Sequence, residues 1–132
     1  VISVAQQMLG TFDLGASHLP EYQLVVNWMP CTMCFGAIIW SGVKSVLLAG
    51  YGSEVEEYTG FDEGPVPGGP GIDPATGREY WKGELEKRGI EILTSDEVMG
   101  GSMACREEAI EGFKFFRDSG DIVYNARAQS EN

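Results

Sequence analysis

The sequence predicts an α/β fold: a sheet with a parallel crossover, covered by helices. Three neighbouring stretches carry that expectation. The run YQLVVN (22–27) is apolar and β-branched and reads as a buried strand. PCTMCFGAIIWSG (30–42) opens at a proline and closes at a glycine, the punctuation of a helix. KSVLLAG (44–50) is a second buried strand. Strand, helix and strand in that order make a parallel crossover, with helices packed over the sheet.

The other elements are read from the same periodicities. VISVAQQML places Val1, Val4, Ala5 and Met8 at helical spacing, and GTFDLGASHLPE then reads as a connecting loop. SEVEEYTG (53–60) is a short helix. After it, FDEGPVPGGPGIDPATG is so rich in Gly and Pro that residues 64–78 read as an irregular insertion loop, a candidate lid. REYWKGELEKRG returns to helix and stops at Gly89, and IEILT is a further strand. The last helix runs from Met103 to Asp118 with Ala109, Phe113 and Phe116 along one side, and the tail from Gly120 has no clear period. There is no internal repeat and no linker, so residues 1–132 read as one domain.

Composition narrows the function. The formal charge is −11 and the pI about 4.3, a surface that repels phosphate backbones. Lys44, Lys82, Lys87, Arg88, Lys114 and Arg117 are dispersed among acids and form no basic patch in sequence. A small neutral substrate suits this field, and no nucleic-acid partner is expected. The same acidity also serves simple solubility. No apolar run approaches the ~20 residues of a membrane span, and no signal-peptide pattern occurs in these residues. Three cysteines, with two close together, argue against a disulfide framework. A reducing, cytoplasmic setting is the corresponding expectation, with Cys105 a small buried hydrophobe.

Cys31 and Cys34 are the chemically informative pair. On the first turn of a helix, positions i and i+3 point to one side, so both sulfurs face a point beyond the helix start. The helix dipole there favours thiolate, the form that binds metal. Two such thiolates suit Zn2+, which takes about four ligands. One further His would leave a position open for water, and the site would then be catalytic. A redox role for the pair is the alternative, but the flanking elements lack the usual setting of a thioredoxin-type motif.

P-C-x-x-C opening a helix after a buried strand is the second half of the zinc deaminase signature H-x-E…P-C-x-x-C. PCTMCFGAIIWSGVKSVLLAG resembles the cytidine deaminase-like superfamily, in the branch of guanine deaminases and tRNA adenosine deaminases. GFDEGP, WKGELEKRGI and the terminal YNAR look like a bacterial guanine deaminase. The resemblance covers Val1 to about Arg127, apart from the insertion VPGGPGIDPATGREY. It implies a three-layer α/β/α sandwich around a mixed sheet. In this family H-A-E opens a helix about thirty residues before P-C-x-x-C. VISVAQQMLGTFDL resembles the helical segment directly after H-A-E, so the resemblance places the signature His and Glu immediately before Val1. The 132 residues are then expected to be the C-terminal part of a deaminase, without its first strands and first helix.

The chemistry that the resemblance implies is that of a hydrolase: His, Cys31 and Cys34 hold zinc, and guanine becomes xanthine with release of ammonia. The acidic residue of FDEG, Glu63, faces the purine and binds its N–H edge or relays a proton. Asp62 lies beside it. Trp40 walls the base pocket or joins the core. Tyr124, in a tail that closes over the partner's site in related enzymes, implies a homodimer. His18 sits in the loop GASHLPE, outside the motif, and reads as a solvated loop histidine. Met29 stands where the family usually has Glu, and Asn27–Trp28 replaces a small-residue pair. These departures leave the cysteines in place but open the substrate to another amino-heterocycle, such as an amino-triazine, an adenosine or a cytidine. A deaminase-like module without chemistry is the reading from another class. An upstream H-A-E discriminates between it and the enzyme.

Overall fold

A computed structural model describes residues 1–124. Its centre is a parallel sheet of three strands, ordered β1 (Gln23–Val26), β2 (Ser45–Leu48) and then β5 (Glu91–Thr94). The register aligns Leu24 with Val46 and Val46 with Ile92, then Val26 with Leu48 and Leu48 with Thr94. Because side chains alternate across a strand, these rows share one face. Their central members, Val46 and Leu48, are fully buried.

Helix α2 (Thr32–Ser41) is the crossover between β1 and β2, as the sequence predicts. It lays Phe35 and Ile38 into the cluster formed by Val46, Leu48, Trp81 and Leu85. Gly42 ends it with φ of 81°. That position is doubly constrained, because a Cβ there would sit 2.4 Å from Asp13 Oδ1. Helix α1 (Ile2–Leu9) packs beside α2, and the loop after it is pinned through Leu14, whose N–H donates to Ser41 O at 2.7 Å.

The second crossover runs from β2 through α3 (Glu54–Thr59) and α4 (Tyr80–Glu86) to β5. Trp81 and Leu85 turn the inner face of α4 onto the sheet cluster. Between α3 and α4 the insertion departs from the irregular loop expected. Ile72–Asp73 (β3) pairs antiparallel with Arg78–Glu79 (β4), closed by a turn at Asp73, whose carbonyl accepts from Gly77 N at 2.8 Å. The Pro–Gly composition hides this hairpin, since each strand is only two residues long. A second element outside the expected set is α5 (Ser95–Val98), opened by a capping box in which Thr94 and Glu97 satisfy each other's backbone.

Helix α6 (Ala104–Ser119) closes the described fold and packs on α3 and α5. Phe113 is its buried residue, and it meets the Trp28 ring edge-on with centroids 5.1 Å apart. Cys105, expected as a buried hydrophobe, is half-buried with Sγ 3.5 Å from Met99 Sδ. Among the described residues no helix is long and apolar enough to cross a membrane. Leu85→Ala removes a fully buried side chain from the shared core. It is expected to lower unfolding stability by about 2–5 kcal/mol in urea titration, with an unchanged slope.

Candidate active site

The cysteines stand where β1 hands over to α2. Pro30 is buried, and Cys31 is the N-cap of α2, with extended backbone at φ −64° and ψ 170°. Its carbonyl accepts from Phe35 N at 2.8 Å, the first bond of the helix. Cys34 comes next within the first turn. Both thiols are free, and both line a cavity of about 600 Å3. Val1 and Ile2 at the start of α1, the β1 side chains Leu24 and Val26, and Asn27, Trp28, Met29 and Glu63 line it too. A second cavity of about 320 Å3 lies under the insertion and shares Trp28, Met29, Val55 and Glu63 with the first. Glu63 therefore faces both.

Trp28 is buried between these cavities. Its Nε1 donates to Gly52 O at 3.0 Å, and Arg106 lies over the ring, 5.2 Å from the centroid. Arg106 itself pairs with Glu54 of α3. Gly50 leaves the room this ring needs, because a Cβ there would approach it to 2.5 Å. Periodicity treats Trp28 as one more apolar residue. The signal of its role is the glycine at position 50, legible only once the two are known to touch.

The electrostatics of the pocket are those of crowded acids. Burial first, then the hydrogen bond and charge of Cys31, then the charge of Glu63, push the Cys34 thiol above its ordinary value of 9.0, and positive charge at Val1 opposes them. Partial burial first, then Glu56 and Asp62, raise the Glu63 carboxyl above its ordinary 4.5. The dipole of the helix start favours thiolate at the pair, but at Cys34 the crowding wins. Two soft sulfur donors are half of a donor set suited to a thiophilic dication such as zinc. Among the described residues no group of three or more His, Cys, Asp or Glu forms a candidate metal cluster.

The other expected site residues separate. Asp62 is exposed; its Oδ1 accepts from Gly64 N at 2.9 Å and shapes the loop behind Glu63. Trp40 is 86% exposed and lines neither cavity, because it lies on the side of α2 away from buried Phe35 and Ile38. It is thus not a core residue either. Tyr124 is 76% exposed and also lines neither cavity, and the remainder of YNAR lies outside the described residues. His18 is exposed in its loop and does not line the cysteine cavity.

These environments lead to two expected outcomes. In the metal-free chain, Cys31→Ala removes a hydrogen bond and a charge that both raise the Cys34 thiol. The pH profile of Cys34 alkylation by iodoacetamide is therefore expected to move to lower pH. An unmoved profile would leave burial and the charge of Glu63 as the causes. Glu63 is neutral more readily folded than unfolded, so its contribution to stability is present at low pH and lost as pH rises through its folded value. Glu63→Gln is expected to raise the melting temperature at pH 7, with the gain vanishing below the ordinary value of 4.5. A gain that persists at low pH would contradict this sign.

No family model and no curated protein matches the chain. Solved structures do. NE0047 in complex with 2,6-diaminopurine is 40% identical over 96% of this chain and 57% of its own, with a TM-score of 0.71. A guanine deaminase from Nitrosomonas europaea is 40% identical over 89% of this chain and 53% of its own, with a TM-score of 0.69. A variant of NE0047 in complex with 8-azaguanine is 40% identical over 89% and 54%, also at a TM-score of 0.69. The chain spans a little over half the length of these structures. At 40% identity over 96% of its residues, the chain belongs to the guanine deaminase branch of the cytidine deaminase-like family.

Proposed function

We propose that this chain serves a zinc-dependent hydrolytic deaminase of a free aminopurine base, converting guanine and water to xanthine and ammonia. One observation carries the reading: Cys31, Cys34 and Glu63 line a single cavity together with the start of α1. The solved relatives support the substrate class, being complexes with 2,6-diaminopurine and 8-azaguanine and an enzyme described as a guanine deaminase.

Cys31 and Cys34 would hold the zinc, with the His of H-A-E as third protein ligand. In this reading that motif stands ahead of α1, which is supported by Val1 and Ile2 lining the cavity of the cysteines. When bound, zinc lowers the pKa of water from ~15.7 towards neutrality. Glu63 orients the base through its N–H edge and passes a proton to the departing amine. Its raised carboxyl suits that task, since it holds a proton more readily than an ordinary glutamate. Trp28 and Met29 form the apolar wall against which a flat ring lies. Asp62 acts behind Glu63 through the loop backbone.

The insertion covers the second cavity through Val66, Pro70 and Ile72, a lid over the far side of Glu63. The reading includes a homodimer in the cytoplasm, acting on a small purine and not on nucleic acid. Exposed Trp40 and Met33 on α2 and exposed Tyr124 are the apolar surface such a dimer covers, with Tyr124 closing the partner's site. Trp28 and Met29 at the cavity wall favour one variant of this reading, in which another amino-heterocycle is the better substrate.

The test is zinc content by mass spectrometry together with ammonia release, measured on the complete gene product with guanine, 2,6-diaminopurine, adenosine, cytidine and an amino-triazine. Stoichiometric zinc and fastest release from guanine are expected. Cys34→Ser is expected to lose zinc and activity together. Faster release from another base would move the substrate assignment, and an inactive zinc-free product would reject the enzyme.

A further inference from the structure

We propose that Thr32 is a positioning residue, the clamp that fastens the Glu63 loop to the first turn of α2. Its consequence for turnover rests on the function proposed above; its geometry does not. Thr32 lies between the cysteines at the first helical position of α2, where the backbone N–H has no partner inside the helix. Here that N–H donates to Glu63 O at 3.1 Å. The hydroxyl has one proton to give, and Pro65 O accepts it at 2.9 Å, with Glu63 O a longer contact at 3.3 Å. One residue thus holds the loop on both sides of Gly64.

Gly64 is what lets the loop come this close. It adopts φ of 79°, and a Cβ built there would lie 2.5 Å from Thr32 Oγ1. The rest of the loop backbone is tied from other directions. Glu63 N donates to Glu56 Oε1 at 3.3 Å, and the Phe61 ring packs on Phe116 with centroids 5.1 Å apart. The backbone of Glu63 is therefore fixed while its side chain faces the cavities. Because Thr32 is flanked by Cys31 and Cys34, the same turn of helix sets both the sulfurs and the carboxylate. Their relative placement becomes a local property of α2 and of the residues on either side of Gly64.

Threonine 32 is exposed, so its replacement leaves the core intact. Thr32→Val keeps the shape and the N–H but deletes the hydroxyl bond, and Thr32→Ser restores that bond. In the metal-free chain, amide hydrogen exchange at Glu63 and Gly64, whose N–H groups donate to Glu56 and Asp62, is expected to quicken about tenfold in T32V and to return towards wild type in T32S. On the complete gene product, T32V is expected to lower kcat for ammonia release about tenfold or more, with KM changed less and zinc retained, and T32S to recover it. Unchanged exchange in T32V, or a T32S as impaired as T32V, would overturn the clamp. Loss of zinc in T32V would also overturn it, by showing that Thr32 supports the cysteines instead of the loop. If the wild-type protein releases no ammonia from any base, the proposed function fails and the exchange measurement alone decides Thr32.

Discussion

The packing of α2 against β2 is the contact on which the rest of the arrangement depends. Phe35 and Ile38 seat the helix in the cluster around Val46 and Leu48, which lie on the middle strand with neighbours on both sides. A helix held along its length in this way has a fixed N-terminus, and Cys31, Thr32 and Cys34 are that N-terminus. At about 25 cal/mol per Å2 of apolar surface, burial of such large side chains contributes a few kcal/mol. Hydrogen bonds at the helix start contribute about 1 kcal/mol each and refine a position that burial has set.

Around that fixed turn the chain assembles a wall from distant pieces. Trp28 sits two residues after β1, Gly50 and Gly52 come after β2, and Arg106 and Phe113 come from α6. The contact is geometric as much as apolar, because Gly50 must lack a side chain for the Trp28 ring to enter. Arg106 adds a cation over the ring while paired to Glu54, so α3, α6 and the turn after β1 meet at one aromatic side chain. A bulky aromatic residue is thus absorbed into the packing and still lines the cavity of the cysteines.

Electrostatically, the same region gathers groups that discourage one another's ionisation. Cys31 and Glu63 raise Cys34, and Glu56 and Asp62 raise Glu63. Natural chains retain such crowding where a cation or a proton is to be handled, since packing alone would favour apolar replacements. Elsewhere the acids are conventionally placed, as with Glu79 beside Lys82 and Glu84 beside Lys87 and Arg88. The net charge of −11 is a property of the whole surface, whereas the pocket is a local concentration of it.

By itself the sequence determined the crossover, the helix opened by Cys31 and Cys34, and the family those residues resemble. These are legible because apolar periodicity and Pro–Gly punctuation act over a few neighbouring residues. Glu63 was legible only through the FDEG resemblance, and Trp40 stands exposed where a pocket wall was expected. Only the tertiary structure decided the hairpin inside the insertion, the seat of Trp28 against Gly50, and the tie from Thr32 to a loop 31 residues away. The reason is physical. A hydrogen bond or a missing Cβ between residues far apart in the chain leaves no periodic mark in either segment, and it comes into being when the core brings them together.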